Sequence, residues 1–153
     1  MRQAPSAERK AHRARNTLRL EAKLPLYGHE ISDTINVWEA DLERFCKMEK
    51  SDFIGRSALA NAKASDIRRT LVGLEMIERG IARDGYKVLD DDGQEMGFVT
   101  SGSYAPFLKK NIALAYVSTE FSALGNILWV EIRGRGVKAQ VVPTPFYKRP
   151  RKG

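Results

Sequence analysis

The chain has 153 residues, 42% of them hydrophobic and 29% charged, an ordinary globular mixture that excludes disorder throughout and is too short for a large multidomain enzyme. Its formal charge of +7 is carried at the ends: residues 1–15 hold Arg2, Arg9, Lys10, Arg13 and Arg15 against Glu8, and the tail from Lys148 onward adds Arg149, Arg151 and Lys152 with no acid. Each end contributes +4, which leaves residues 16–147 at about −1, so the body has no surplus charge for phosphates and nucleic acid is not an indicated partner.

In chain order, Ala7, Ala11, Ala14 and Leu18 recur at helical spacing after Pro5-Ser6, and Pro25 turns Leu24 away from helical geometry, which predicts a helix over residues 6–23. Its stripe is mostly alanine and buries little area, so the helix is expected to need a neighbour that supplies the rest of a core. Residues 27–50 mix turn formers (Gly28, Ser32-Asp33, Asn36) with a helix-like run around Trp38 to Phe45 and admit either assignment. Gly55 then precedes Arg56–Ala64, where Ala58, Leu59 and Ala62 make one short face, as in a connecting helix.

After Ser65 the period falls to two. Val72, Leu74 and Met76 share a face; Leu128, Val130 and Ile132 alternate with Trp129, Glu131 and Arg133; Val137, Ala139 and Val141 continue the pattern. Ile112, Leu114 and Tyr116 alternate with Ala113, Ala115 and Val117, small enough for a strand covered on both sides. Asp92-Gly93 is a hairpin signal, and Gly134-Arg135-Gly136 joins two strands so tightly that only a hairpin fits. Five to seven short strands without a long intervening helix predict a mainly β fold, a small antiparallel barrel or jelly-roll over roughly residues 69–145, preceded by helical segments.

The chain contains no run of about 18 apolar residues, and its most apolar stretch, Ile112 to Val117, is strand-sized, so no membrane span is expected. The N-terminus lacks an apolar targeting core and the single cysteine, Cys46, cannot close an internal disulfide, which points to a reducing, cytoplasmic compartment. His12, His29 and Cys46 share no metal-ligand spacing, and no neighbour in sequence activates the thiol. Asp90, Asp91 and Asp92 before Gly93 read as the cap of a turn, and Gly134-Arg135-Gly136 as turn geometry, since no helix follows to receive a phosphate. Composition and spacing thus single out no metal site and no catalytic residue.

Longer strings carry more. Leu18-Arg19-Leu20-Glu21-Ala22, Leu24-Pro25-Leu26-Tyr27-Gly28-His29-Glu30, Lys50-Ser51-Asp52-Phe53-Ile54-Gly55-Arg56, Arg79-Gly80-Ile81-Ala82-Arg83-Asp84-Gly85-Tyr86, Gly97-Phe98-Val99-Thr100-Ser101-Gly102 through Asn111–Val117, and Pro145-Phe146-Tyr147-Lys148-Arg149 stand in order along the chain. Together they resemble the late part of the glycine cleavage T-protein, aminomethyltransferase, over residues 13 to 149. The resemblance implies a chain divided into a basic extension (1–15), the end of an α/β folate-binding domain (16–50), a connecting helix (51–68), a C-terminal β-barrel (69–147) and a basic tail (148–153). It also implies the family's chemistry, in which a one-carbon unit passes from the aminomethyl-lipoyl arm of H-protein to tetrahydrofolate and ammonia leaves.

In relatives the aspartate that assists the transfer lies upstream of the Leu-Arg-Leu-Glu-Ala string. The resemblance therefore implies no catalytic residue here, weak or absent tetrahydrofolate binding by this chain alone, and partners in H-protein and a separate folate-binding chain. Arg19 matches a residue similar to a folate contact, where a guanidinium suits carboxylate or pterin acceptors; the other reading is a helix arginine paired with an acid. Tyr27 either stacks on the pterin or covers the core. Tyr147 is similar to a terminal residue that folds back towards the ligand, or else anchors the barrel. Lys23 departs from the family, which has glycine there, as do Glu43-Arg44-Phe45, where relatives have glycine and tryptophan. The alternative function is a non-catalytic barrel scaffold whose basic ends contact an acidic protein or RNA.

Overall fold

The structure is a computed structural model that describes the backbone of residues 7–148 and the side chains from residue 14 to 148. The side chains of Arg2, Arg9, Lys10, Arg13, Arg149, Arg151 and Lys152, of Ala7 and Ala11 in the alanine stripe, and of His12 lie outside those described.

The six strands close into an antiparallel barrel. β1 (Arg69–Met76), β2 (Lys87–Leu89), β3 (Glu95–Ala105), β4 (Lys110–Ser118), β5 (Ile127–Ile132) and β6 (Arg135–Val142) pair in the order β1-β4-β3-β2-β5-β6, with β6 returning to β1. Closure removes the sheet edges that a jelly-roll would leave, and it decides between the two expected architectures. The interior is filled by one face of each strand: Val72, Leu74 and Met76 from β1, Ala113, Ala115 and Val117 from β4, Leu128 and Val130 from β5, Ala139 and Val141 from β6, all buried. Each fully buried Val or Leu contributes roughly 1.5–3 kcal/mol, so this cylinder is the main apolar store of the molecule.

The β5–β6 turn falls one residue earlier than the Gly134-Arg135-Gly136 string suggested. Ile132 pairs Arg135, and Arg133 (φ 53°) and Gly134 (φ 75°) are the two turn residues, both left-handed as a two-residue hairpin requires. Asp90 caps the β2–β3 turn, its Oδ1 accepting the N–H groups of Asp92 (3.0 Å) and Gln94 (2.8 Å).

Among the described residues, a helix covers one side of the barrel. α1 (Ala7–Glu21) lies against the outer face of β3 and β4, and its Leu20 joins Leu71, Ile112, Leu114 and Tyr116 in a second buried cluster. Every residue from Ile112 to Val117 is therefore buried, alternately inward and outward, as the small-large alternation in this strand anticipated. α1 ends two residues short of the expected residue 23 in a Schellman turn: Lys23 N–H donates to Leu20 O (3.0 Å) and Leu24 N–H to Arg19 O (2.8 Å), with Lys23 left-handed at φ 54°. Glycine is the residue that enters that conformation without strain.

The run from Trp38 to Phe45 is not an α-helix. Asn36 Oδ1 accepts the N–H groups of Trp38 and Glu39 (both 3.0 Å), Asp41 turns left-handed at φ 55°, and only Glu43–Phe45 form a 3₁₀ turn. Trp38 is buried and donates its indole N–H to Leu59 O (3.0 Å), docking α2 (Arg56–Ala64), which buries no residue of its own. A C-terminal strap, residues 143–148, crosses β1 at Gly73, where a Cβ would press against the Thr144 methyl and stand 3.0 Å from the Phe146 ring. No described helix is long and apolar enough to cross a membrane.

Candidate functional site

The polar chemistry gathers where the end of α1, the loop after it and the strap meet the barrel. β3 makes this possible through a bulge. Val99 pairs Ala115 and Ser101 pairs Leu114, so Thr100 is an extra residue against β4. Regular alternation would send Thr100 and Ser101 to opposite faces; the bulge lets both reach the N-terminal segment. The Thr100 hydroxyl donates to Glu30 Oε1 (2.8 Å), and Ser101 Oγ accepts a hydrogen bond from Arg19 Nη2 (2.5 Å).

Glu30 is fully buried, and its position is over-determined. Oε2 accepts from Arg19 Nη1 (2.6 Å) and Leu26 N–H (3.0 Å), and its main-chain carbonyl accepts from the Tyr116 hydroxyl (2.8 Å). Burial pushes the Tyr116 phenol well above its ordinary range, with Glu39 and Glu30 adding to the effect and Arg69 opposing it, so the hydroxyl remains a donor. Beside it, His29 Nδ1 lies 2.9 Å from Thr100 O and 3.4 Å from Asp84 Oδ2, tying the loop to the β1–β2 connection.

Arg19 is the centre of this seam, and its side chain is 10% exposed. Four of its five N–H groups are engaged: Nε by Asn16 Oδ1 (2.8 Å), Nη1 by Glu30 and more distantly Leu24 O (3.5 Å), and Nη2 by Ser101. The guanidinium as placed is a brace between helix, loop and barrel rather than an open clamp. Tyr27 does not cover the core: its side chain stands 74% exposed at the tip of the Leu26–Ile31 loop. Tyr147 comes back onto α1, donating its main-chain N–H to Glu21 O (2.9 Å), while its ring meets Phe107 edge-on at 4.9 Å. The structure thus brings Arg19 and Tyr147 to the same end of α1.

Glu21 was not anticipated. It is 4% exposed, and burial raises its carboxyl above the ordinary value. A raised folded-state value favours the neutral form, so the stability linked to this residue is present in acid and is lost as pH rises through the folded-state value. Glu30, Thr100, Ser101 and Tyr116 were also missed as site residues. The one available signal was a polar Thr-Ser pair inside an apolar strand between Gly97 and Gly102.

Two of the clefts that flank the strap among the described residues differ in size. One of about 110 Å³, lined by Ala22, Lys23, Pro25, Asp41 and Thr144, is too small for a drug-sized ligand. The other, of about 480 Å³, has Leu108, Ile112, Val142 and Phe146 along it and Lys110 and Lys148 at its rim. Neither is lined by Arg19, Tyr27 or Tyr147. The carboxylates of half-buried Asp90 and of exposed Asp91 and Asp92 come within 4.8 Å of one another, with Asp90 already occupied by its turn.

This geometry can be set beside known proteins. The family model of the glycine cleavage T-protein C-terminal barrel domain matches residues 69–148, from the first residue of β1 to the end of the strap. The chain belongs to the glycine cleavage T-protein family. It is 71% identical over 139 residues to the aminomethyltransferase of Koribacter versatilis and 62% identical over 140 residues to that of Acidobacterium capsulatum, in each case covering 91% of this chain and 37% of the relative. Among solved structures it is similar to the glycine cleavage system aminomethyltransferase T of Bartonella henselae, with a TM-score of 0.83 and 31% identity over 88% of this chain and 38% of that one. The chain therefore spans little more than a third of the length of these T-protein relatives. The likeness extends beyond the barrel, since 88–91% of the chain includes much of the segment that carries Arg19, Glu21 and Glu30.

Proposed function

We propose that this chain is the C-terminal portion of an aminomethyltransferase, acting in one-carbon transfer from aminomethyl-lipoyl H-protein to tetrahydrofolate together with the upstream part that its relatives carry. The observation that supports this most is the reach of the likeness across α1 and its loop, because a barrel kept only as a scaffold has no need of that seam. The residues present suit the folate in part. Arg19 is too fully engaged to clamp a carboxylate, and its role in this reading is to hold α1 and the Tyr27 loop at a fixed angle to the barrel. The exposed ring of Tyr27 offers a face for stacking, and Tyr147 closes the C-terminal side.

When bound, tetrahydrofolate supplies the amine nitrogens that receive the one-carbon unit; this chain contributes orientation and exclusion of water. H-protein, a separate folate-binding chain and a cytoplasmic location belong to the same reading. The test is reconstitution. The full chain is mixed with the upstream part of the Koribacter versatilis aminomethyltransferase, and ammonia release from aminomethyl-lipoyl H-protein is followed with tetrahydrofolate present. Turnover is expected from the mixture and not from this chain alone; turnover without a partner, or none from a mixture that forms a stable complex, overturns the reading.

A further inference from the structure

The cleft of about 480 Å³ beside the strap falls in the size range of small-molecule sites, and its walls are set by the fold itself. The β3–β4 turn forms one wall through Leu108, the strap forms another through Pro145 and Phe146, and Ile112 of β4 and Val142 of β6 complete the apolar lining. Phe146 packs on the buried cluster under α1, and the edge-on contact of Phe107 with Tyr147 at 4.9 Å ties the turn to the strap. Both walls are therefore fixed before any ligand arrives. The charges around this apolar slot do not cancel. Among the residues that line it, Glu75 is the acid, and Lys110 answers it at 2.8 Å. Lys148 is exposed and, among the described residues, has no ion-pair partner. The rim thus carries one surplus positive charge beside a surface that water hydrates poorly.

We propose that this cleft binds a small amphipathic carboxylate, with its apolar body between the turn and the strap and its head at the Lys148 ammonium. An apolar body displaces loosely held water from the slot, and that displacement supplies most of the affinity. The exposed ammonium adds little energy but selects the sign of the head group. A single lysine is a point charge suited to one carboxylate, whereas a phosphate head is matched by a guanidinium fork or by several cations. The site lies apart from the end of α1, since neither Arg19 nor Tyr27 lines it, and it stands without the aminomethyltransferase reading.

The test uses the full chain and two probes of equal chain length and opposite head group, decanoate and decyltrimethylammonium, in a nitrogen-15 NMR titration. Decanoate is expected to bind saturably, with a Kd of about 1 mM or tighter, and to shift the amides of Leu108, Ile112 and Phe146. Decyltrimethylammonium is expected to bind about threefold more weakly or worse. Lys148→Glu, at an exposed position outside the core, is expected to invert that order. Leu108→Trp fills the slot and is expected to abolish the decanoate-induced shift at Phe146; should that variant fail to fold, the inversion by Lys148→Glu decides. A silent titration, equal binding of the two heads, an order that Lys148→Glu leaves unchanged, or shifts confined to other residues overturns the proposal. Displacement of decanoate by millimolar tetrahydrofolate also overturns it, because the cleft is then part of the folate pocket and not a site of its own.

Discussion

The barrel interior and the seam beneath α1 are built on opposite principles. Inside the barrel, interchangeable aliphatic side chains fill a closed cylinder, and no single one specifies the arrangement. At the seam, a fully buried carboxylate, a nearly buried guanidinium and the Thr100 and Ser101 hydroxyls specify one another. Two charges taken from water gain little net stability over an apolar replacement, but removing one of them strands the other. The barrel is thus the store of stability and the seam the store of specificity, fixing how the N-terminal segment is presented.

Glu30→Ala is the sharpest way to break that contrast. It leaves Arg19 buried without its counter-charge and empties the acceptor of Thr100 and Leu26 N–H, so a loss of about 3–5 kcal/mol is expected in denaturant unfolding. The double variant Arg19→Met/Glu30→Leu should recover most of that loss, because it removes both charges while retaining volume. If the double variant is as unstable as the sum of its parts, the seam contributes stability in its own right and the division drawn above fails.

Within the barrel the expected effect is smaller and of another kind. Leu74 has no exposed surface and sits on β1 opposite Ala113 and Val141, so Leu74→Ala removes contacts and leaves a cavity, at about 2–4 kcal/mol. Refilling nearby volume, as with Ala113→Val, should restore part of it, since the interior depends on volume more than on identity. Failure of every such compensation would mean that the barrel is as particular about its residues as the seam is.

That difference also governs how much could be read from the sequence. Alternation at Val72-Leu74-Met76 and Leu128-Val130-Ile132, and the doubly covered run from Ile112 to Val117, follow from apolar periodicity, which is the same force that fills the cylinder. The Thr100 bulge has no periodic signature, and with regular alternation assumed, Thr100 and Ser101 fall on different faces. The string Leu-Arg-Leu-Glu-Ala drew attention to Arg19 but not to Glu21 two residues on. Burying two successive residues of a helix, Leu20 and Glu21, takes cover from two sides, and the strap that provides the second side is remote in sequence. Residues 38–45 admitted either assignment for the converse reason: their local helical spacing is overridden by the Asn36 cap and by the anchoring of Trp38 on Leu59.

The smallest expected effect tests the edge of the seam. Lys23 stands in the left-handed position that ends α1, where a side chain costs about 1 kcal/mol that glycine avoids. Against this, the ammonium pairs with Asp41, lies at the favourable end of the helix dipole, and lays a largely covered stem along the surface. Asp41 is mostly exposed, so the pair itself is worth only a few tenths to about 1 kcal/mol. Lys23→Gly is therefore expected to shift stability by less than about 1 kcal/mol in dilute buffer. Salt separates the opposing terms: 1 M sodium chloride screens the pair and the dipole but leaves backbone strain untouched, so the glycine variant should gain on the parent chain as salt rises. A difference that does not move with salt would show that Lys23 is held by the packing of its stem, and that the seam's electrostatic design stops at Arg19 and Glu30.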